Sequence, residues 1–343
     1  MPNEWSETAS PSTPIASRYD GFASLVRCCP NLTTLSIWFH SAIDMDIYLL
    51  ALDSSGLQSF RNLRIKGYTR SNSSGRAQAN WADLFNCTEN MPTREAWTSR
   101  IQHISLEGFL LRSEPAGPSS LKLTALQKMS VIDCDFSCMW LSVTLDQTPA
   151  LIDLELREYN MKDGHALDSV ISRSRYGRQL MQMSVFEIAA VRPVHELEQM
   201  SFLSVLRYLA IDAYRMELIQ EFPPQLQTLD LVFRRRSPRS TIKLIRDVIA
   251  VHHAVTKLHS GYRTLKALII RDYVSNTMYD GWIIVAALLH GPLKLHGVST
   301  SIHLVKIPFN ESMLSLMPRK AAAGQRRQVC VQDWMERQGF LYT

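Results

Sequence analysis

The sequence predicts an α/β solenoid, a stack of strand-plus-helix units with parallel strands in a curved sheet on the concave side and helices on the convex side. Three observations predict it. An apolar-x-x-apolar-x-apolar triplet recurs in near-constant phase along the 343-residue chain. Helix-like segments separate the triplets, and a large or sulfur-bearing residue follows most of them at a fixed offset.

The triplets are Leu32/Leu35/Ile37, Phe60/Leu63/Ile65, Ile101/Ile104/Leu106, Leu126/Met129/Val131 and Leu151/Leu154/Leu156. They continue with Leu180/Met183/Val185, Leu206/Leu209/Ile211, Leu226/Leu229/Leu231, Leu265/Leu268/Ile270 and Ile302/Val305/Ile307. Most successive first anchors lie roughly 20–29 residues apart, the period of leucine-rich repeats. The wider spacings after Phe60, Leu226 and Leu265 fit loop insertions. One such triplet arises often by chance, but a phased series of about ten irregular repeats does not.

Each part of the unit has a physical role. The last two anchors alternate with a polar residue, so they point inward from a short strand. The first anchor closes the turn before it. Three residues past the last anchor stand Tyr68, Phe109, Cys134, Tyr159, Ile188, Tyr214 and Tyr273, in position to plug the core as the chain leaves the strand. Helix-like segments are expected at Ile43–Leu52, His165–Ser174, Thr241–His253 and Tyr279–Leu289. In Thr241–His253 the residues Ile242, Ile245, Val248, Ile249 and His252 recur at helical spacing. A single unit cannot bury its apolar side alone, so neighbours must stack into one continuous core.

Cys28-Cys29-Pro30-Asn31-Leu32-Thr33-Thr34-Leu35-Ser36-Ile37 resembles the helix end and strand of the cysteine-containing repeats of F-box/leucine-rich-repeat proteins. Leu126-Gln127-Lys128-Met129-Ser130-Val131-Ile132-Asp133-Cys134 is similar to the strand-to-cysteine part of that repeat. The resemblance extends over Tyr19 to Ile307 and is closest to the irregular, fungal-type members. It implies substrate recognition for a ubiquitin ligase, with a Skp-type adaptor as a further partner where an F-box exists. No F-box pattern is recognisable in Met1–Arg18.

Residues between the inward anchors face out from the strands. On that face the expected protein-binding residues include the cations Arg64, Lys66, Lys128, Arg157 and Arg271. The carboxylates are Glu107, Asp153, Glu155, Asp212 and Asp230, and Trp38, Phe186 and Tyr208 add aromatic surface. Positive and negative groups balance along the face. A phosphate-tracking groove is strongly positive, so the partner expected is a protein and nucleic acid is disfavoured. Aromatic residues with the aliphatic Ile132, Val232 and Ile269 are the expected anchors, since aromatics dominate interface hot spots.

Composition sets further bounds. The formal charge of +5 is a mild basic excess. Six scattered cysteines do not make a disulfide framework. The longest apolar stretch, Trp282 to Leu289, is far shorter than the roughly 20 residues a membrane helix needs. Met1–Pro14 lacks the apolar segment of a secretory signal. A cytoplasmic or nuclear location without membrane attachment follows as the expectation, and the sequons at Asn31, Asn72, Asn86 and Asn310 are read as chance matches.

No motif for chemistry stands out, so neither cofactor nor enzyme activity is expected. Cys134-x-x-x-Cys138 lacks the second pair that a structural zinc site requires. His252, His253, His259, His290, His296 and His303 form no metalloprotease motif, and neither a phosphate loop nor a nucleophile elbow occurs. The basic run Arg234–Arg239, with Ser237-Pro238 inside it, reads as an exposed loop. An enzyme would have to place its site in the inserts Arg70–Ser99 or Arg234–Tyr262.

The expected organisation is a disordered segment at 1–18, the solenoid at 19–310, and a linker with a short capping helix at 311–343. A register test also follows. Leu154→Asp should unfold neighbouring units, whereas Glu155→Ala should leave stability nearly unchanged.

Overall fold

In the computed structural model, the N–H of the first anchor closes a bend onto the carbonyl three residues back. Leu32 bonds Cys29, Leu126 bonds Leu123, Leu151 bonds Thr148, Leu180 bonds Gly177, Leu206 bonds Leu203 and Leu226 bonds Pro223. The structure describes residues 15–39, 57–67, 77–80, 99–112, 123–161, 166–187, 197–213, 219–233, 264–274, 297–306 and 328–330. These form an α/β architecture with mostly parallel, open sheet and few helices. The chain divides into two compact units, Met1–Leu151 with Tyr159–Asp163, and Ile152–Glu158 with Gly164–Thr343.

The first unit begins with helix α1 (Ile15–Arg27), which starts inside the segment expected to be disordered. Cys28 and Cys29 follow it. Both are exposed. Strands β1 (Thr34–Phe39), β2 (Asn62–Gly67), β4 (His103–Glu107) and β6 (Lys128–Ile132) lie side by side in parallel. Their register has no slip from the phase of the triplets. Leu35, Leu63, Ile104 and Met129 form one row, and Ile37, Ile65, Leu106 and Val131 the next. A one-residue slip would turn every inward side chain outward, so this agreement fixes the core. Leu63, Ile65, Ile104, Leu106, Met129 and Val131 are all fully buried.

A corner follows the strand. Gly108 and Asp133, each two residues past the last anchor, have positive φ values of 81° and 53°. Strict alternation would point these residues inward and the next one outward. The left-handed corner reverses that parity, so Phe109 and Cys134 enter the core as plugs. Cys134 Sγ accepts the N–H of Phe109 at 3.4 Å and lies 3.2 Å from the Ile132 carbonyl, to which it donates. After the corner, β5 (Phe109–Arg112) pairs in parallel with β3 (Ala77–Asn80) and β7 (Asp135–Phe136). Helix α2 (Cys138–Gln147) is capped by Ser137, whose side chain accepts the Trp140 N–H. Its buried Trp140 packs on Phe136, which stacks in turn on Tyr159 at 5.4 Å.

The second unit takes Ile152–Glu158 of strand β8 (Asp153–Met161), then α3 (Leu167–Arg173) and β9 (Gln182–Glu187). Strands β10 (Tyr208–Asp212), β11 (Thr228–Phe233), β12 (Ala267–Val274) and β13 (Ser299–Lys306) form a parallel ladder with β9 within this unit. Met183, Leu209, Leu229 and Leu268 align in one row, and Val185, Ile211, Leu231 and Ile270 in another. Glu158, at the corner position, has a φ of 50°. Asp168, in the first turn of α3, ties its helix to the following unit. One carboxylate oxygen accepts the N–H groups of Glu198 and Gln199 at 3.1 and 3.0 Å, and the other accepts that of Ser169.

One expectation fails at the C-terminal end. The tenth triplet is not Ile302/Val305/Ile307, because β13 pairs Leu268 with Thr300 and Ile270 with Ile302. Thr300 is a buried polar residue in the middle anchor position, which hid the unit from an apolar pattern. Within the segment expected to hold a linker and a short capping helix, Gln328–Cys330 form β14, which pairs antiparallel with β13, and the rest of 311–343 lies outside the described residues. The expected helices Ile43–Leu52, Thr241–His253 and Tyr279–Leu289 lie outside the described residues, as do Tyr68, Ile188 and Tyr214. Among the described residues no helix is long and apolar enough to cross a membrane.

Candidate functional site

The outward face is built by the same pleat that buries the anchors. In the first unit Trp38, Lys66, Glu107 and Ile132 stand in one row across β1, β2, β4 and β6. Ser36, Arg64, Ser105 and Ser130 make the adjacent row. Glu107 is only 2% exposed, and its two oxygens are shared out. Lys66 Nζ meets Oε1 and Arg64 Nη2 meets Oε2, each at 2.9 Å. Burial alone raises the pKa of Glu107. Hydrogen bonds from Lys66 and Arg64, with their charges, outweigh it and hold the carboxyl below the ordinary glutamate range.

Trp38 is the large apolar side chain on this part of the face, 63% exposed, with Lys66 Nζ 5.2 Å from its ring centroid. The contact adds a cation–π attraction to the ion pair. Arg64 keeps about half of its side chain in solvent. One buried carboxylate thus orients two cations beside an exposed indole. Lys128, also on this face, is partly buried. His103 and Ser130 approach to 3.4 Å in neighbouring strands.

The second unit presents a different surface. Phe186, Ala210 and Val232, all under a tenth exposed, form a small apolar cluster with Tyr208 against it. Asp230, 1% exposed, accepts the Tyr208 hydroxyl at 2.7 Å. Arg271 grips the same carboxylate through Nε at 3.0 and 2.9 Å and through Nη2 at 2.6 Å. Burial, then the charge and hydrogen bond of Asp230, raise the pKa of the Tyr208 hydroxyl well above its usual value. Arg157 pairs with Glu155 and stands 5.9 Å from the Phe186 ring.

All the expected face residues therefore lie within described strands, but not all are exposed. Phe186 and Val232 were expected as open anchors and are buried by packing along the ladder. Glu107, Asp212 and Asp230 are buried carboxylates, and Glu155 is nearly so. Trp38 and Arg64 are exposed, Arg157, Tyr208, Ile132, Ile269 and Arg271 are partly so, and Asp153 is intermediate. The sequence count of charges along the whole face also conceals a segregation. The first unit carries Arg64, Lys66 and Lys128 against Glu107, while the second carries Asp153, Glu155, Asp212 and Asp230 against Arg157 and Arg271.

Sequence reasoning missed α2 and the strand set β3, β5 and β7. The first had a signal in the helical spacing of Trp140, Leu141, Thr144 and Leu145 behind a serine cap. The basic run Arg234–Arg239 lies outside the described residues, as do the expected enzyme inserts apart from 77–80 and Ser99. No group of three or more histidine, cysteine or acidic side chains suited to a metal occurs among the described residues. No protein-family model matches the chain, and no curated protein sequence is significantly similar to it.

Proposed function

We propose that the chain is a leucine-rich-repeat solenoid and works as a non-enzymatic scaffold that binds a partner protein on its strand face. The slip-free alignment of eight triplets with the ladders, four in each compact unit, supports the repeat reading. One observation carries the binding reading: the exposed Trp38 indole beside Arg64 and Lys66, which Glu107 holds in fixed positions. Preorganised aromatic and guanidinium groups lose little entropy on binding, which is what an interface hot spot requires.

A photo-crosslinking amino acid tests this. Placed at Trp38 or Arg271 in the full-length chain, it should capture a discrete protein partner from cells. The same group at Met139 or Val143, exposed on α2, should not. Capture from α2 alone, or equal labelling from every position, would overturn the proposal.

A second reading rests on Cys134, which occupies the core-plug position that the cysteine-containing F-box repeats use. In that reading the chain is the substrate-recognition part of a ubiquitin ligase. Co-purification of a Skp-type adaptor and cullin with the full-length chain would favour it, and their absence from an otherwise active complex would remove it.

A further inference from the structure

Strand β1 ends the ladder of the first unit, and among the described residues no strand pairs with its other side. In the second unit the ladder ends in β13, and antiparallel β14 covers that strand. We infer that a second copy of this chain covers the open edge, β1 pairing antiparallel with its own counterpart about a two-fold axis at Ser36. The inference goes beyond the scaffold reading, since it uses the edge of the sheet and not its face.

The backbone supplies the first argument. Thr33 turns its carbonyl to β2 and accepts the Asn62 N–H at 2.9 Å. Alternate residues of a strand bond alternate neighbours, so Leu35 and Ile37 also serve β2. Thr34, Ser36 and Trp38 therefore turn their N–H and C=O groups to the open side.

Charge supplies the second. Edge strands are commonly guarded against pairing by charged side chains or proline. Thr34–Phe39 has neither, although β2, β4, β6 and each of β8 to β13 carries at least one charged residue. A charged peptide finds no counter-ion along such a strand, and an identical strand brings no charge to repel.

Side-chain complementarity supplies the third. Leu32 and Leu35 are only partly buried, whereas Phe60 and Leu63 in the same places of the next unit are fully buried. Antiparallel pairing centred on Ser36 sets Leu35 opposite Ile37 of the other copy on the inward side. On the outward side it sets Trp38, 63% exposed, opposite Thr34 of the other copy. Each contact occurs twice by symmetry, and apolar or aromatic–β-branched pairs of this kind stabilise a sheet. Each copy thus completes the edge of the other's core.

Sedimentation equilibrium of the full-length chain across a dilution series tests the inference. The mass should rise from one chain to two and stop there, because a two-fold contact closes on itself. Ser36→Lys sets like charges opposite each other at the axis without altering an inward anchor. It should raise the dimer dissociation constant by about tenfold or more, and Ser36→Glu should do the same. An equal mixture of the two variants should recover the dimer, because the axis then joins a lysine to a glutamate. The mixture also separates lost pairing from lost folding, since misfolded chains do not restore each other. Met139→Ser, on α2, should leave the mass curve unchanged.

A chain that stays monomeric at every concentration would overturn the inference, as would a dimer indifferent to both Ser36 variants. So would a mixture that stays monomeric, an open-ended polymer, or a dimer that Met139→Ser abolishes.

Discussion

Gly108 comes so close to Gly67 that a Cβ on it would lie 2.8 Å from the Gly67 carbonyl oxygen. The two residues hold the same corner position in neighbouring units, and Gly108 has a φ of 81°. Gly108→Ala therefore meets both a backbone clash and a left-handed conformation. The expected cost is about 2 kcal/mol or more. Gly21→Ala provides the opposite sign. It lies within α1 with nothing within 4 Å of the added methyl, and should gain up to about 1 kcal/mol of helix stability. Urea midpoints of the two variants check the pair, and movement in the same direction would refute the corner argument.

Asp168 is a tie between successive units of the second compact body. Asp168→Ala leaves the N–H groups of Glu198 and Gln199 without this acceptor. Asp168→Asn keeps one acceptor oxygen but turns an amide donor toward other donors. The expected losses are about 2–3 kcal/mol for alanine and about half that for asparagine. Hydrogen exchange should show faster opening of the loop around Gln199 in the alanine variant. Unchanged protection there would mean that other contacts hold the loop.

How much of this was legible in the sequence depends on what enforces each feature. The strand phase was readable because nine units repeat it, and burial permits only one parity for anchors such as Leu154 and Leu209. The plug residues Phe109, Cys134 and Tyr159 were also readable, although the left-handed corner that aims them was not. Thr300 broke the pattern because a polar residue fills an inward place. Exposure on the outward face was much less legible. Whether Phe186 or Val232 is open depends on what their neighbours along the ladder cover, and a single strand does not encode that. Segregation of charge was present in the residue list but disappears when the whole face is counted together.

Acid should distinguish Glu107 from an isosteric amide. Its folded-state pKa is depressed by Lys66 and Arg64, so its ion pairs stabilise the protein above the unfolded carboxyl pKa, about 4.3. That contribution is lost as pH falls through the lower folded value. Wild type should therefore exceed Glu107→Gln in melting temperature at neutral pH, and the gap should shrink as pH drops below about 4.3. A gap that stayed constant down to strongly acid pH would show that the charge of Glu107 contributes nothing.

The contrast between Leu154 and Glu155 needs a revised magnitude. Leu154 is fully buried, so Leu154→Asp places a carboxyl among apolar side chains and should cost about 3–5 kcal/mol, enough to unfold neighbouring units. The register alone expects Glu155→Ala to be nearly neutral. The structure instead gives Glu155 a relative exposure of 9% and an ion pair with Arg157, whose guanidinium stands over Phe186. Removing the carboxylate frees that guanidinium and opens a buried position, for a loss of about 1–2 kcal/mol. Arg157 is more than a third exposed, so solvent screening keeps the figure at the low end. Urea denaturation should rank wild type above Glu155→Ala and both well above Leu154→Asp. If Glu155→Ala matched wild type, the pairing with Arg157 would be energetically idle, and if it matched Leu154→Asp, the inward and outward faces of β8 would have to be exchanged.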